Sequence, residues 1–320
     1  MRIGKTLPPE NDLRDSLAQQ PSEADAAIRL ATFDQYRSLL FSVAYRMLGS
    51  VSDAEDMLQE TFIRWQQVPD EEIRSPRAFL VTIISRLCIN QLQSARVQRE
   101  EYVGNWLPEP IVTGTGSDPL EIIRIDESLS MAFLVLLERL TPTERAVFLL
   151  HEVFEHEYSE IASILSQSEA NCRQILRRAR QHVSDMRPRF KVSRSKKNAL
   201  LERFLHATTT GDLDGLLAVL SSDVVLHTDG GGKGVASPNL IHGASNVARG
   251  AVGTFQKLLP KNLVYQLAQI NGEPGIVSYL NGKPFSVLTF DSGDERIQTI
   301  YIVSNPEKLA HVPDLPVKED

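Results

Sequence analysis

A short segment in the middle of the chain carries side chains that suit contact with nucleic acid. Across residues 169–183, apolar residues recur at helical spacing and can face a core, which leaves one polar and basic face. The side chains on that face are Asn171, Arg173, Gln174, Arg177 and Arg178. Asparagine and glutamine suit adenine, arginine suits guanine, and any arginine can bind phosphate. A solvated basic helix on an ordinary bundle is the alternative interpretation of the same pattern.

The elements before this segment predict a helix-turn-helix unit. Thr141, Pro142 and Glu144 combine an N-cap, a proline at the first helical position and a capping-box glutamate. A short helix over residues 159–165 and a three-residue connection then precede the basic helix. In such a unit the second helix enters the major groove. Because this order is more specific than charge alone, it favours DNA binding over a merely solvated face.

A second cluster is acidic. Asp53, Asp56 and Glu60 follow one another at three- and four-residue spacing, so they share one face of a predicted helix. The absence of a neighbouring histidine argues against a metal site. A partner-binding face and a solvated face stay open, and spacing alone favours the solvated one.

A third candidate lies at the end of a predicted strand. His227 and Asp229 could form an acid/base pair that lines a pocket, although a histidine at a strand end is more often packed or solvated. We therefore expect no catalytic residue. Gly230 and Gly231 precede Lys233 in a glycine run that predicts unusual backbone angles, but its spacing is not that of a Walker loop.

Periodicity divides the chain into helical and mixed parts. Helices are expected from Phe33 to Met47, from a capping box of Ser52 and Glu55 to Trp65, and from Pro76 onward. Two short helices and several β patterns with glycine turns later predict an α+β domain with an antiparallel sheet. The expected divisions are a tail (1–30), a helical domain (31–98), a linker (99–125), a second helical domain (126–187), a basic linker (188–197), the α+β domain (198–310) and a tail (311–320).

Composition narrows the class of protein. The net charge is −7, yet residues 169–197 hold ten Lys/Arg against two acidic residues, as local phosphate contact requires. No apolar run is long enough to cross a bilayer and no secretory signal is evident, so we expect a cytoplasmic protein that does not bind membranes. Cys88 and Cys172 form neither a metal motif nor a disulfide framework. No metal or cofactor is expected.

Two sets of motifs resemble extracytoplasmic-function RNA polymerase sigma factors. The matching stretches are YRMLG (45–49), DAED (53–56) and QETF (59–62) for region two, and LTPTER (140–145), YSEIA (158–162) and CRQ (172–174) for region four. Both sets occur in the family's order across one linker. The resemblance therefore implies two all-α sigma domains, the second a helix-turn-helix.

The resemblance also implies partners and roles. Asp56, Gln59 and Glu60 would contact the clamp helices of the largest subunit of core RNA polymerase, whose flap would be a further partner. The minus-ten promoter element would be contacted by Trp65, Arg74, Arg86 and Asn90, although many members have asparagine where this chain has Arg86. The basic helix would read the minus-thirty-five element.

The C-terminal part resembles the SnoaL-like polyketide cyclase fold, a cone-shaped α+β barrel that some sigma factors carry as an appendage. The stretches YVGNWLPEP (102–110), DGGGK (229–233) and NPEKL (305–309) resemble that subgroup. They imply a set of interdomain regulatory residues: Tyr102, Trp106, Asp229, Gly230, Gly231, Lys233, Asn305, Pro306 and Lys308. The attached domain would replace a separate anti-sigma factor, and a small-molecule ligand for it stays open.

The predicted function is thus an alternative sigma factor, not an enzyme, controlled by its own C-terminal domain. Two alternatives remain at this point. One is a helix-turn-helix regulator that binds duplex DNA without polymerase, and the other is a SnoaL-like enzyme with a helical partner domain.

Overall fold

The first helical domain is a three-helix unit. The computed structural model describes residues 23–69, 73, 75–100, 102–113, 129–184, 192–293 and 295–315. Helices α1 (Glu23–Leu48), α2 (Val51–Gln66) and α3 (Pro76–Glu100) pack side by side. Gly49, with φ +68°, makes the sharp turn between α1 and α2. The helical unit begins earlier than expected, because residues 23–30 belong to α1 and not to a tail.

The start of α2 differs from the prediction. Ser50, and not Ser52, is the N-cap, and its hydroxyl accepts a hydrogen bond from the Asp53 amide at 3.1 Å. Sequence reasoning chose Ser52 because Glu55 follows it at the capping-box spacing. In the structure the carboxylate at this helix end comes from Glu109, far along the chain, which accepts hydrogen bonds from the Ser50 hydroxyl (2.9 Å) and the Val51 amide (2.7 Å).

The second helical domain contains the predicted helix-turn-helix. It consists of α4 (Met131–Leu137), α5 (Pro142–Glu152), α6 (Tyr158–Leu165) and α7 (Glu169–Ser184). The capping box of Thr141 and Glu144 at the start of α5 is present as predicted. Ser166 ends α6 in the left-handed conformation, with φ 52°, which turns the chain toward α7.

The two helical domains share one apolar core. A single cluster of buried side chains joins Leu40 and Ala44 of α1 and Ile84 of α3 to Phe148 of α5 and Leu176 of α7. The sequence predicted two separate helical units joined by a linker, whereas here α3 packs on both α5 and α6.

The C-terminal domain is built on a mixed sheet. Its helices are α8 (Arg194–Thr210), α9 (Leu213–Val219) and α10 (Ala244–Lys257). The strands are β1 (Val112–Thr113), β2 (Leu220–Asp229), β3 (Ile241–His242), β4 (Val264–Ile270), β5 (Glu273–Leu280), β6 (Lys283–Ser292) and β7 (Ile297–Val303), in the spatial order β1-β4-β5-β6-β7-β2-β3. All neighbouring strands are antiparallel except β2 and β7, which pair in parallel. The sheet is therefore mixed, whereas the sequence predicted an antiparallel one.

The two faces of this sheet have different partners. Leu226, Phe290 and Ile300 face α8, α9 and α10 and form the domain's own apolar core. Tyr279, Val287, Tyr301 and Val303 face the other way, in a cluster with Leu107, Met131, Leu309 and Val312. The second face is therefore covered by the linker, by α4 of the second helical domain and by the chain that follows β7.

The linker is part of the fold. Residues 107–111 are buried, and β1 extends the sheet by pairing with β4, with Val112 opposite Ile270. Residues 194–197 belong to α8 and not to a linker. The predicted C-terminal tail is in part ordered, because Val312 is buried and the Leu315 amide donates to the Gly282 carbonyl at 2.9 Å.

Candidate nucleic-acid interface and interdomain joint

Helix α7 presents the face that the sequence predicted. Cys172, Leu176, Ala179 and Val183 point into the core. Arg173, Gln174, Arg177 and Arg178 are exposed, and Asn171 is half-buried. A cleft of about 290 Å³ lies along this face, lined by Tyr158, Arg173, Leu176, Arg177, Arg180 and Gln181. A surface so rich in guanidinium groups suits an anionic backbone.

Local contacts orient part of this face. The side-chain amide of Asn171 donates through Nδ2 to Gln167 Oε1 at 2.8 Å. Arg173 forms an ion pair with Glu169 at 2.7 Å and lies over the Tyr158 ring, 4.9 Å from its centroid. Arg180, one turn after Arg177, is paired with Glu152 at 2.5 Å.

Helix α2 exposes its acidic face. Ala54, Leu58, Thr61 and Trp65 form its buried stripe. Asp56 and Gln59 are exposed on the opposite side, and Glu60 is half-buried and paired with Arg64 at 2.7 Å. Ile63 is 49% exposed one turn after Gln59. Sequence reasoning missed Ile63, although an apolar residue on a polar helix face was a signal that could have identified it.

The four residues expected to contact the minus-ten element have different surroundings. Trp65 is 3% exposed, and its indole N–H donates to the Arg29 carbonyl at 3.3 Å. Arg29 in turn donates to the carbonyls of Trp65 (2.7 Å) and Val68 (2.6 Å), so Trp65 is a core residue in this arrangement. Asn90 is exposed on α3. Arg74 lies outside the described residues.

Arg86 is exposed on α3 but contacts the other helical domain. Its guanidinium donates to the carbonyls of Ile164 (2.7 Å) and Ser163 (3.2 Å) at the end of α6. A third hydrogen bond, of 3.0 Å, reaches the Ser166 hydroxyl. The residue expected to contact DNA is thus engaged with the helix-turn-helix unit.

The three C-terminal motifs meet at Asp229. This carboxylate is fully buried and accepts hydrogen bonds from the Tyr102 hydroxyl (2.6 Å) and the Leu107 amide (2.8 Å), and it forms an ion pair with Lys308 (2.7 Å). Asn305 donates to the Tyr102 oxygen at 2.9 Å. Residues distant in sequence therefore form one site, which we call the joint: residues 102–113 with residues 229–233 and 305–308.

Lys308 provides the counter-charge within the joint. It is 6% exposed, and its ammonium lies 4.1 Å from the Trp106 ring centroid and 5.0 Å from that of Tyr102. It also donates to the Leu107 carbonyl at 2.5 Å. Burial and the hydrogen bond to Asp229 raise the pKa of the Tyr102 hydroxyl well above its usual range, so Tyr102 stays a donor.

Two glycines make the close contacts within the joint possible. Gly231 has φ +57°, and a Cβ there would overlap the Asn305 side-chain amide. A Cβ on Gly230 would lie 2.7 Å from the Gly234 carbonyl oxygen. At the rim, exposed Lys233 pairs with Glu307, and the carbonyl of exposed Pro306 accepts from the Leu309 amide at 3.3 Å.

Three residues that sequence reasoning missed tie the joint to the first helical domain. The Glu109 amide donates to the Gly49 carbonyl at 2.8 Å, beside the carboxylate cap on α2. Tyr45 donates to the Glu109 carbonyl (2.6 Å) and accepts from the side chain of Asn271 (2.7 Å). Asn271 also accepts from the Ile111 amide at 3.1 Å. A glutamate between two prolines was the available signal, since a charge in a rigid apolar segment needs a partner.

His227 and Asp229 do not form an open acid/base site. Both lie on the sheet face that the linker and α4 cover, and Asp229 is occupied by Tyr102, Leu107 and Lys308. Burial, helped by His242 and Arg139, lowers the pKa of His227 to about 4. A histidine with this pKa is a poor general base near neutrality.

In the described ranges no three His, Cys, Asp or Glu side chains are grouped so as to hold a metal ion. None of the helices described here combines the length and apolar character that crossing a membrane requires.

Comparison with known proteins agrees with this architecture. Residues 32–97 match the Sigma-70 region 2 family and residues 130–183 match the Sigma-70 region 4 family. The chain is 36% identical over 297 residues to the ECF RNA polymerase sigma factor SigJ of Mycobacterium tuberculosis, covering 89% of this chain and 95% of that protein. It is 31% identical over 282 residues to the probable ECF RNA polymerase sigma factor SigI of the same species, covering 87% and 94%.

A solved structure shows the same arrangement of domains. The crystal structure of the Mycobacterium tuberculosis extracytoplasmic function sigma factor SigJ superposes with a TM-score of 0.71 at 33% identity, covering 90% of this chain and 100% of that one. The expected order of two helical sigma domains followed by an α+β domain is confirmed. These findings favour the sigma factor over the regulator that binds duplex DNA without polymerase: the chain belongs to the extracytoplasmic-function RNA polymerase sigma factors and is an alternative sigma factor that acts in transcription initiation.

Proposed function

We propose that this sigma factor uses three separate surfaces and that its C-terminal domain controls their relative placement. The first surface is the exposed face of α2, with Asp56, Gln59 and Glu60, extended by Ile63. It would bind the clamp helices of the largest polymerase subunit. A polar rim beside an exposed apolar side chain is typical of a protein–protein contact.

The second and third surfaces would bind promoter DNA. Helix α7 would read the minus-thirty-five element with Asn171, Arg173, Gln174, Arg177 and Arg178, while the polymerase flap contacts the same domain. The observation that best supports this DNA contact is that α7 buries one face completely and exposes its Gln and Arg face to solvent. The minus-ten element would be contacted by Arg86, Asn90 and Arg74. Trp65 would instead support α2 from the core.

The control that we propose works through the joint. Residues 107–111 are buried between the first helical domain and the sheet, while α4 packs on the same sheet face. Both DNA-binding domains are thus held by one surface of the C-terminal domain. Because that domain is covalently attached, its effective concentration is high and no separate anti-sigma factor is required.

Run-off transcription with purified core polymerase tests this proposal. We compare the full chain with truncations after Val183 and after Leu309, and with Gln174→Ala and Arg178→Ala on a promoter with an unaltered minus-ten element. The α7 variants should lose initiation while keeping polymerase binding, and the truncations should change promoter-dependent activity. Unchanged activity and hydrodynamic size after truncation would refute the regulatory role.

Two further expectations remain predictions: that the protein resides in the cytoplasm and that it acts without a separate anti-sigma factor. A small-molecule ligand of the C-terminal domain stays open. The helix-covered face of the sheet is where such a ligand would enter, since Tyr265, Leu288 and Ile302 are only partly buried there. Mass spectrometry of the natively purified chain would identify a retained ligand.

A further inference from the structure

A second cavity lies between α3 and the turn that joins α4 to α5. It has a volume of about 200 Å³. Leu92 of α3 forms one wall, and residues 138–142, from the turn and the start of α5, form the others together with Arg145. A water molecule takes about 30 Å³ in the liquid, so the cavity has room for roughly six waters or for a small polyatomic ion. Of these lining residues, none is among those that we assign to polymerase or promoter contact.

Arg145 is a buried cation whose hydrogen bonds are only partly satisfied by protein groups. Its side chain is 3% exposed. Nη1 donates to the Met47 carbonyl at 2.6 Å and to the Glu138 carboxylate at 2.7 Å. Within the described residues, however, the Nε–H has no acceptor. Leaving a buried donor of a charged group without an acceptor is costly, so Arg145 requires an acceptor that the described part of the chain does not supply.

Arg139 adds a second guanidinium to the same cavity. It is exposed, and its side chain forms no hydrogen bond or ion pair with the residues that the structure describes. Its charge also acts on the C-terminal domain, because burial, then His242 and then Arg139 lower the pKa of His227 on β2 to about 4. An uncompensated positive charge therefore lies where the turn between α4 and α5 approaches the sheet.

The charges and shape of the cavity select for an anion. Two guanidinium groups and one carboxylate line it, and that carboxylate, Glu138, is engaged by Arg145. The rest of the wall includes Leu92, Leu140 and Pro142, and such apolar surroundings strengthen an attraction between charges. A guanidinium donates through a planar fork of N–H groups that matches the oxygens of phosphate or carboxylate. Phosphate fits best, because it offers enough oxygens to accept from both arginines at once.

We propose that this cavity is a binding site for a small phosphate-type oxyanion, either free phosphate or a phosphate monoester, held by Arg139 and Arg145. The inference goes beyond the proposed function, since it assigns a ligand to residues that neither promoter nor polymerase contact uses. The bound anion supplies the acceptor that Arg145 lacks and neutralises Arg139. Because it binds the folded chain and not the unfolded one, it stabilises the fold.

The first test measures thermal unfolding of the full chain in inorganic phosphate, with chloride at equal ionic strength as the reference. The Tm should rise saturably, by about 4 °C at a hundredfold excess over Kd. Arg139→Ala should weaken phosphate binding about tenfold or more, and Arg139→Lys should weaken it less. Two exposed arginines provide controls that should keep the full shift: Arg37→Ala on α1, and Arg177→Ala on α7, where phosphate can also bind. No saturable rise beyond that in chloride, or an equal rise in Arg139→Ala, overturns the proposal.

The second test locates the anion and distinguishes its sources. The Nε–H resonance of Arg145, assigned through Arg145→Lys, is followed by nuclear magnetic resonance while phosphate or glycerol 3-phosphate is added. It should shift saturably at the concentration that raises the Tm. Tighter binding of glycerol 3-phosphate identifies a monoester as the ligand, and tighter binding of inorganic phosphate identifies the free ion. An unchanged Arg145 signal while other arginine signals shift overturns the site. Neither test uses polymerase or DNA, so failure here is distinct from failure of the proposed function.

Discussion

At the scale of single residues, Asp229 carries the charge on which the joint depends. It is fully buried and binds Tyr102, Leu107 and Lys308. A buried charge is tolerated only with a partner of opposite charge and satisfied hydrogen bonds, and both requirements are met by residues from other motifs.

Replacing that charge predicts a large loss of stability. Asp229→Asn leaves the ammonium of Lys308 buried without its counter-charge, so the free energy of unfolding should fall by about 3 kcal/mol. Urea unfolding of the full chain measures this, with the exposed Asp34→Asn as the matched control. A change as small as that of the control would contradict the role assigned to the pair.

His227 predicts a pH dependence of the same stability. Its pKa is lowered from 6.5 to about 4 because it is buried, so the folded state disfavours its proton while the unfolded state binds it below pH 6.5. The contribution of neutral His227 is therefore complete above pH 6.5 and is lost as the pH falls toward 4, by up to about 3 kcal/mol. His227→Gln should flatten the stability profile in this window, whereas the exposed His206→Gln should leave the slope as it is.

At the scale of elements, the glycine loop after β2 passes so close to Asn305 that it has no space for a side chain at Gly231. Gly231 adopts a left-handed conformation directly beneath the Asn305 amide. The loop must approach this closely because Asn305 holds the Tyr102 hydroxyl in place for Asp229. A conformational requirement and a steric one therefore coincide at a single position.

Two alanine variants separate these requirements. Gly282 also has a positive φ, +79°, but open space where a Cβ would be. Gly282→Ala should cost about 1–2 kcal/mol for the backbone alone, while Gly231→Ala should cost more and also displace Asn305. Thermal unfolding compares the two, and the near-ultraviolet signal of Trp106 reports the displacement. Equal losses would show that the loop does not need its close approach.

At the scale of the whole molecule, the linker joins the C-terminal domain to the first helical domain. Its amides take partners on both sides: Leu107 donates to Asp229 and Ile111 to Asn271 of the C-terminal domain, whereas Glu109 donates to Gly49 of the first helical domain. The segment that the sequence predicted as a linker thus holds the domains in one arrangement.

Deleting residues 198–320 should remove the hydrogen-bond acceptors on only one side of this segment. We expect the Leu107 and Ile111 amides to exchange rapidly with deuterium once their partners are gone. The Glu109 amide should stay protected, because its acceptor at Gly49 remains. Amide exchange resolved by residue measures all three, and uniform loss or uniform retention of protection would contradict this description.

The sequence alone determined whatever depends on local spacing. The periodicity of α7 and the capping box of Thr141 and Glu144 identified the helix-turn-helix, and β patterns with glycine turns indicated the α+β domain. Spacing could do this because helix and strand faces are set by neighbours a few residues apart. Trp65 shows the limit, since the family resemblance implied a DNA contact at this position while the structure places its side chain in the core.

Only the tertiary structure decided which distant groups meet. The cap on α2 comes from Glu109, the counter-charge of Asp229 from Lys308, and the acceptors of Arg86 from α6. No local pattern encodes such pairs, because each depends on the relative placement of domains that share buried surfaces. The sequence thus predicted which surfaces would contact a polymerase and a promoter, whereas burial at the joint and the shared helical core decided how those surfaces are held.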